Sequence, residues 1–500
     1  MVIITETKKF QAFYTKSTPI VDYMIGKLSL KKSDRIFEPC GGDGVFVESI
    51  LSENYEAYID ICEINSLSVT ILNQKFSNYP NVTIRESDTL LDVELVFSRR
   101  YEKIIANPPY GAWQDYEKRK TLKKLYPDLY VKESYVLFLY RCIELLKEDG
   151  ILTFIVPDTF LNLHSHNGIR KHILTQTQIL ELVLFPSGFF PNVNFGYANL
   201  AIITLRKKNN VSDCYNNSFN VFYNFSTVEQ LTNLNESNIN QCVLSQKDIL
   251  ENSDSAFFVT ENMDVLQAIN KSRLRIEDIA NCVTGFYSGD DKQFLHAIDA
   301  NTKNSKKYKG VIPEMICCDY KNRTDILDGI DGKQCFIPIV KGGNIRYLKP
   351  EIWFMNWSKE AVQHYKTNKK ARFQNSKYYF KYGIGVPMIS ASNITASLIE
   401  NKLFDQSIVG IFPKDEKFIH YLLAFFNSST CNKLIRTINP SANNPANYIK
   451  KIPLRIPDEQ TLKQITIMTR NIVSQVKKLG YYDKEEESKI QNMIQELYGF

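Results

Sequence analysis

No apolar run in this chain of 500 residues approaches the ~20 needed to span a bilayer. Its first residues lack the apolar segment of a secretory leader. The ten cysteines form no paired Cys-x-x-Cys units, and only Cys317 and Cys318 are neighbours. They read as reduced core thiols of a cytoplasmic protein, with no metal site expected. No internal repeat is evident. The one conspicuous glycine turn is Gly-Gly-Asp-Gly rather than G-x-G-x-x-G, so a pyrophosphate-binding fingerprint is unsupported. These absences set aside a membrane span, a disulfide scaffold and an NAD site. At 44% hydrophobic residues a core is easily built, and the length suggests two large domains.

Charge is unevenly spread. Residues 261–460 hold 29 Lys and Arg against 20 Asp and Glu, a net of +9, while the remainder nets −3. The densest stretch, Tyr365 to Tyr382, carries Lys366, Lys369, Lys370, Arg372, Lys377 and Lys381 with no acid, interleaved with six aromatics. Basic groups neutralise phosphates, and aromatics pack on sugars or bases. The plainer alternative is a solvated lysine-rich face over core aromatics. Between Lys207 and Ser255 the composition shifts to Asn and Ser, as at a seam between domains, although Phe219–Tyr223 also fits a strand.

The densest chemistry lies at 105–111, Ile-Ala-Asn-Pro-Pro-Tyr-Gly. Residues 101–106 form a short apolar strand ending in a stiff turn. Two prolines fix φ and supply no N–H groups. The Asn107 amide and the Pro108 carbonyl therefore point together off a strand end, beside the ring of Tyr110. Two acceptors and one stacking face suit a flat heterocycle bearing an amino group. Such an amine is a poor nucleophile because its lone pair is delocalised into the ring. Acceptors for both N–H groups favour a more tetrahedral nitrogen. Positioning and electrostatics then carry methyl transfer without needing a metal. An ordinary Asn-Pro turn is the bland alternative.

Upstream, Arg35-Ile36-Phe37 reads as a strand running into Glu38-Pro39-Cys40-Gly41-Gly42-Asp43-Gly44, with a helix from Val45. Glycines there permit a tight turn and close approach to a ligand. A second strand, 57–62, ends at Glu63, placed for ribose hydroxyls. A third, 82–88, ends in Asp88. Alternating strands and helices predict a parallel α/β sheet, with ligands outside the carboxyl ends of its strands. Glu38, Glu63, Asp88 and Asn107 all fall at such ends. Acids around the loop suit a cationic ligand better than a phosphate, and S-adenosylmethionine carries a sulfonium and an ammonium.

With these motifs, residues 13–205 resemble the gamma class of amino-group DNA methyltransferases, the TaqI-like adenine enzymes of restriction-modification systems. The resemblance implies a Rossmann-like S-adenosylmethionine-dependent methyltransferase domain over 1–210. A connecting segment (211–260), an α+β DNA target-recognition domain (261–460) and a helical tail (461–500) would follow. Asn107, Pro108, Pro109 and Tyr110 match the catalytic tetrapeptide. Cofactor contacts are implied for Thr15 or Thr18, Glu38, Cys40, Gly41, Gly42, Gly44, Glu63, Ile64, Asp88 and Asn107. Cys40 and Asp43 stand where small residues are commoner in the family.

Phe190 is implied as the ring opposite Tyr110 around an extruded base. A core role for Phe190, or Phe189 or Phe195 in its place, stays open. Lys366, Lys369, Lys370, Arg372 and Lys377 are expected DNA contacts. The implied reaction is methylation of the N6 amine of a flipped adenine in double-stranded DNA. It would protect host DNA in a type II system, from a monomer, beside a separate endonuclease. N4-cytosine, RNA and protein-glutamine methylation are the alternatives. Pro457-Asp458 with Glu487-Ser488-Lys489 superficially matches a nuclease pattern but lacks its strand context.

Overall fold

The computed structural model describes residues 17–53, 56–92, 101–110, 116–190, 199–234, 238–260, 262–299, 301–302, 305–390, 393–439 and 442–500. The chain divides into two units, Met1–Glu261 and Asn262–Phe500.

The first unit is built on strands β1 (Arg35–Glu38), β2 (Tyr58–Glu63), β3 (Val82–Glu86), β4 (Tyr101–Ala106), β5 (Leu146–Pro157), β6 (Thr177–Pro186), β7 (Asn199–Lys207), β8 (Ser218–Tyr223) and β9 (Asn240–Ser245). They form one sheet in the order β3-β2-β1-β4-β5-β7-β6-β8-β9. The members from β3 to β5 run parallel, as the alternating pattern predicts. β7 enters antiparallel between β5 and β6. Ile36, Phe37, Ile59, Ile61, Ile104, Ile105 and Leu152 are each at most 1% exposed. Continuous apolar runs of this kind mark strands covered on both faces.

The helices of this unit are α1 (Thr18–Leu28), α2 (Val45–Ser52), α3 (Ser66–Phe76), α4 (Tyr116–Leu125), α5 (Ser134–Leu145), α6 (Asn167–Gln176), α7 (Val211–Tyr215) and α8 (Gln246–Glu251). Pro19 lies in the first turn of α1, where its missing N–H costs nothing. Asn65 caps α3 through Leu67 N–H at 3.0 Å.

One boundary, the connecting segment at 211–260, differs from the sequence reading. β5 begins at Leu146 and carries a bulge before Ile151: pairing steps from Tyr101↔Leu146 to Lys103↔Ile151, and Asp149 takes φ 63°. The segment 211–260 is no linker. β8 pairs with β6 and β9 with β8, extending the sheet. Its Asn and Ser residues occupy turns and edge positions, while Phe219, Val221 and Phe222 enter the core.

The second unit holds two five-stranded sheets and a two-stranded one. Phe286, Trp357, Tyr365, Phe373 and Tyr379 cluster edge to face in its core. The supposed tail is two helices, Glu459–Leu479 and Lys484–Tyr498. They bury Ile465, Ile472, Ile490, Ile494 and Tyr498. Glu487 accepts from Arg346 Nη1 at 2.8 Å and Tyr347 OH at 3.0 Å, so these helices are part of this unit's body. Asp458 caps the first of them through Thr461 N–H. Both acids of the nuclease-like pattern thus have structural partners. Among the described residues no helix is long and apolar enough to cross a membrane.

Candidate functional site

The glycine turn connects β1 to α2. Gly41 N–H donates to Cys62 C=O at 3.0 Å, and Gly44 N–H to Gly41 C=O at 2.8 Å. A Cβ on Gly41 would lie 2.4 Å from Ile61 Cγ2. One on Gly44, at φ +79°, would lie 2.7 Å from the Phe76 ring. Only glycine fits at either point. Thr89 locks the turn from below, its buried hydroxyl donating to Pro39 C=O at 2.6 Å.

Two carboxylates flank this turn, and they are used differently. Glu63, the last residue of β2, accepts Gly42 N–H on Oε2 and Asn65 N–H on Oε1, both at 2.8 Å. Burial raises its pKa, and those backbone bonds oppose the rise. Glu38 ends β1 only 2% exposed. Its Oε2 is buried with no hydrogen-bond partner among the described residues. Burial, then the nearby Asp43 and Glu63 carboxylates, push its pKa well above the ordinary carboxyl value. An unpartnered buried acid is costly unless a ligand completes it. The neighbouring Ile64 is 45% exposed, an apolar face beside Glu63. A cationic amino-acid end at Glu38, hydroxyls at Glu63 and a flat base on Ile64 fit this donor and acceptor set.

Asn107 follows β4 at the same edge, since β4 neighbours β1. The Cys40 thiol lies 3.6 Å from Asn107 C=O, joining the glycine turn to the tetrapeptide. Asn107 is half-buried. The Pro108 carbonyl accepts no hydrogen bond among the described residues. Ser134 Oγ, which opens α5, donates to Pro109 C=O at 2.6 Å and steadies the turn.

Other expected residues are placed otherwise. Tyr110 presents no open ring face: it is 2% exposed, with its hydroxyl on Asn107 Oδ1 at 2.6 Å and Ile155 C=O at 3.1 Å. Its ring meets Tyr135 edge-on at 6.2 Å. Phe190 is also 2% exposed and sits in the core cluster, the alternative the sequence left open. Phe189 stacks on Phe185 at 5.8 Å. Asp88 lies two residues beyond β3 and pairs with Lys118 Nζ at 2.5 Å. Thr18 opens α1 on the exposed side and makes no hydrogen bond to the glycine turn among the described residues. Thr15 and Phe195 lie outside the described residues.

In the second unit, Lys366, Lys369, Lys370, Arg372 and Lys377 are exposed. Lys366 bonds Asp328 at 2.9 Å, an acid 38 residues earlier that its own stretch does not show. The aromatics among them are divided: Tyr365 and Tyr379 are buried, 1% and 3% exposed, while Phe373 and Tyr378 are half-buried.

The sequence reading missed the hydroxyls of Thr89 and Ser134. Each is a single residue without periodicity, and only the folded contact marks it.

This architecture, a glycine turn and strand-end acids on a largely parallel sheet, is Rossmann-like, and its donor and acceptor set fits S-adenosylmethionine. Residues 25–190 match the family model described as Eco57I restriction-modification methylase. Type II methyltransferase M.AccI of Acinetobacter calcoaceticus is 26% identical over 47% of this chain and 43% of its own length. Adenine-specific methyltransferase PglX of Lacticaseibacillus casei (strain Zhang) is 20% identical over 78% of this chain and 32% of its own length. The chain thus spans less than half of either relative. In fold it is similar to the cryo-EM structure of a DrdV–DNA complex, with TM-score 0.54 and 14% identity, covering 94% of this chain and 58% of that one.

Proposed function

We propose that this protein methylates the N6 amine of adenine in double-stranded DNA, at a specific sequence, as the modification half of a restriction-modification system. The observation that carries the reading is the junction of Cys40 with Asn107. It brings an amine-accepting tetrapeptide beside an acid-flanked glycine turn. S-adenosylmethionine, held by Glu38, Glu63 and Ile64 over Gly41, Gly42 and Gly44, supplies an activated methyl group.

Asn107 and Pro108 orient the amino group. Tyr110 OH donates to Asn107 Oδ1. A base amine replaces that hydroxyl, and the released ring then becomes available for stacking, with Phe190 as its counterpart. The base must leave the duplex to reach this depth, at a cost of a few kcal/mol. The basic second unit, through Lys369, Lys370, Arg372 and Lys377, holds the phosphate backbone. A monomer working in the cytoplasm beside a separate endonuclease completes the reading. The adenine assignment draws on relatives named adenine-specific.

Incubating the protein with labelled S-adenosylmethionine and plasmid, then analysing nucleosides, tests this directly. N6-methyladenine is the expected product. N4-methylcytosine would keep the site and change the base, and label transferred to RNA or protein but not DNA would refute the substrate.

A further inference from the structure

Methyl transfer to an amine leaves a proton to dispose of. The nitrogen lone pair forms the new C–N bond as the donor's S–C bond breaks. The sulfur becomes a neutral thioether, and the nitrogen carries one positive charge and two hydrogens. One proton must leave to restore a neutral methylamine. Neither an amide oxygen at Asn107 nor a peptide carbonyl at Pro108 retains a proton near neutral pH. Both can hold the hydrogens, and neither can take one away.

A carboxylate stands on the same sheet edge. β4 and β5 pair in parallel, Ala106 opposite Phe154, so the chain leaving β5 emerges beside the tetrapeptide. Tyr110 OH already reaches back to Ile155 C=O at 3.1 Å. Asp158 follows Pro157, which pairs with Leu200 of β7. The start of β7 supplies Asn199, whose Nδ2 donates to Asp158 Oδ2 at 3.3 Å. Asn199 in turn pairs with Pro186, the end of β6, three residues before Phe189. Thr159 shares a 3.2 Å hydrogen bond with the hydroxyl of Tyr135, whose ring abuts Tyr110. Asp158 therefore lies between the strand end bearing Asn107 and the one leading to Phe189 and Phe190. These are the two sides of the base pocket in the reading above, on which this inference rests. We propose that Asp158 accepts the proton shed by the methylated amino group.

The surroundings suit a base that works near neutrality. Burial raises the Asp158 carboxyl to about 6, against the hydrogen bond from Asn199. Neighbouring charged groups are engaged elsewhere. His164 bonds Asp254, and Arg170 bonds the carbonyls of Phe160, Leu163 and Asp254. His166 faces Tyr135, and burial lowers it to about 3. From α5 the neutral hydroxyl of Tyr135 reaches the adjacent Thr159, and that of Tyr110, beyond β4, reaches Ile155 C=O, while Arg206 and Lys207 sit at the far end of β7. The second Asp158 oxygen accepts no hydrogen bond among the described residues.

Single-turnover methylation of plasmid DNA, followed against pH, tests the assignment. The wild-type rate should fall tenfold per pH unit below about 6. Asp158→Asn should lose that acid limb and run about 10²-fold slower at pH 7.5, with cofactor binding by calorimetry retained. A component of the protonated-carboxyl infrared band of the protein without DNA should titrate near 6 and be lost in Asp158→Asn, while the Glu38 component remains. Asn199→Ala, on an exposed strand end, removes the one donor and should move the limb to higher pH. This second variant decides the matter if Asp158→Asn fails to fold. An acid limb that persists in Asp158→Asn, or stays in place in Asn199→Ala, overturns the proposal. A wild-type protein that methylates DNA without any acid limb also overturns it. One that methylates no DNA refutes the underlying reading instead.

Discussion

Two buried glutamates, one in each unit, separate ligand chemistry from architecture. Glu38 of the first unit is 2% exposed and its Oε2 has no partner among the described residues. Glu487 of the second is 7% exposed and receives Arg346, Tyr347, Tyr482 and Lys484. Burial would raise both, but at Glu487 the Arg346 guanidinium and the hydrogen bonds prevail and hold it below the ordinary value. Among the described residues the second acid is completed by partners and the first is not. The rings divide in the same way. Tyr365 and Tyr379 belong wholly to a core. Tyr110 is just as buried, yet its hydroxyl rests on the Asn107 amide, the group proposed to hold the substrate amine.

This contrast can be broken by substitution. Asn107→Ala should depress methyl transfer by at least about 10²-fold while cofactor binding, measured by calorimetry, survives. Loss of both would place Asn107 in the cofactor cradle alone. Glu487→Gln should cost about 2–3 kcal/mol of stability in denaturant unfolding of the full chain, because it strands Arg346 and Tyr347. Glu38→Gln should act in the opposite direction on the ligand-free protein and raise its melting temperature, while weakening cofactor binding about tenfold. Both glutamates destabilising alike when replaced would erase the distinction.

The pH response sharpens the same point. The folded pKa of Glu38 lies above its unfolded value, so the native state binds its proton first. Ligand-free stability should therefore rise as pH falls from neutrality toward the ordinary carboxyl pKa of 4.5. The rise should flatten in Glu38→Gln. The smallest effect is expected on the basic face. Replacing Lys369, Lys370 and Arg372 together by Gln should leave stability unchanged and reduce the salt slope of DNA binding by at most about 3. An unchanged slope would move the DNA surface elsewhere.

The strand ends of the first unit were legible because parallel strands announce themselves as short apolar runs closed by Gly, Pro or an acid. Glu38, Glu63 and Asn107 were found that way. Asp88 was misplaced by two residues because β3 stops at Glu86, and nothing local distinguishes the last strand residue from the turn. The Asn-rich stretch 211–260 was misread because composition reports the turns, whereas Phe219 and Val221 decide that β8 joins the sheet. Lys366 looked unopposed because Asp328 is remote in sequence and adjacent only in space.

By itself the sequence determined the alternation of strands and helices from β1 to β4, the glycine turn and the tetrapeptide, since each follows from local sterics and hydrophobic period. Tertiary structure decided which acids find partners among the described residues and which rings are core. Those outcomes depend on contacts between residues far apart in the chain, where desolvation and the presence or absence of a partner set the energy.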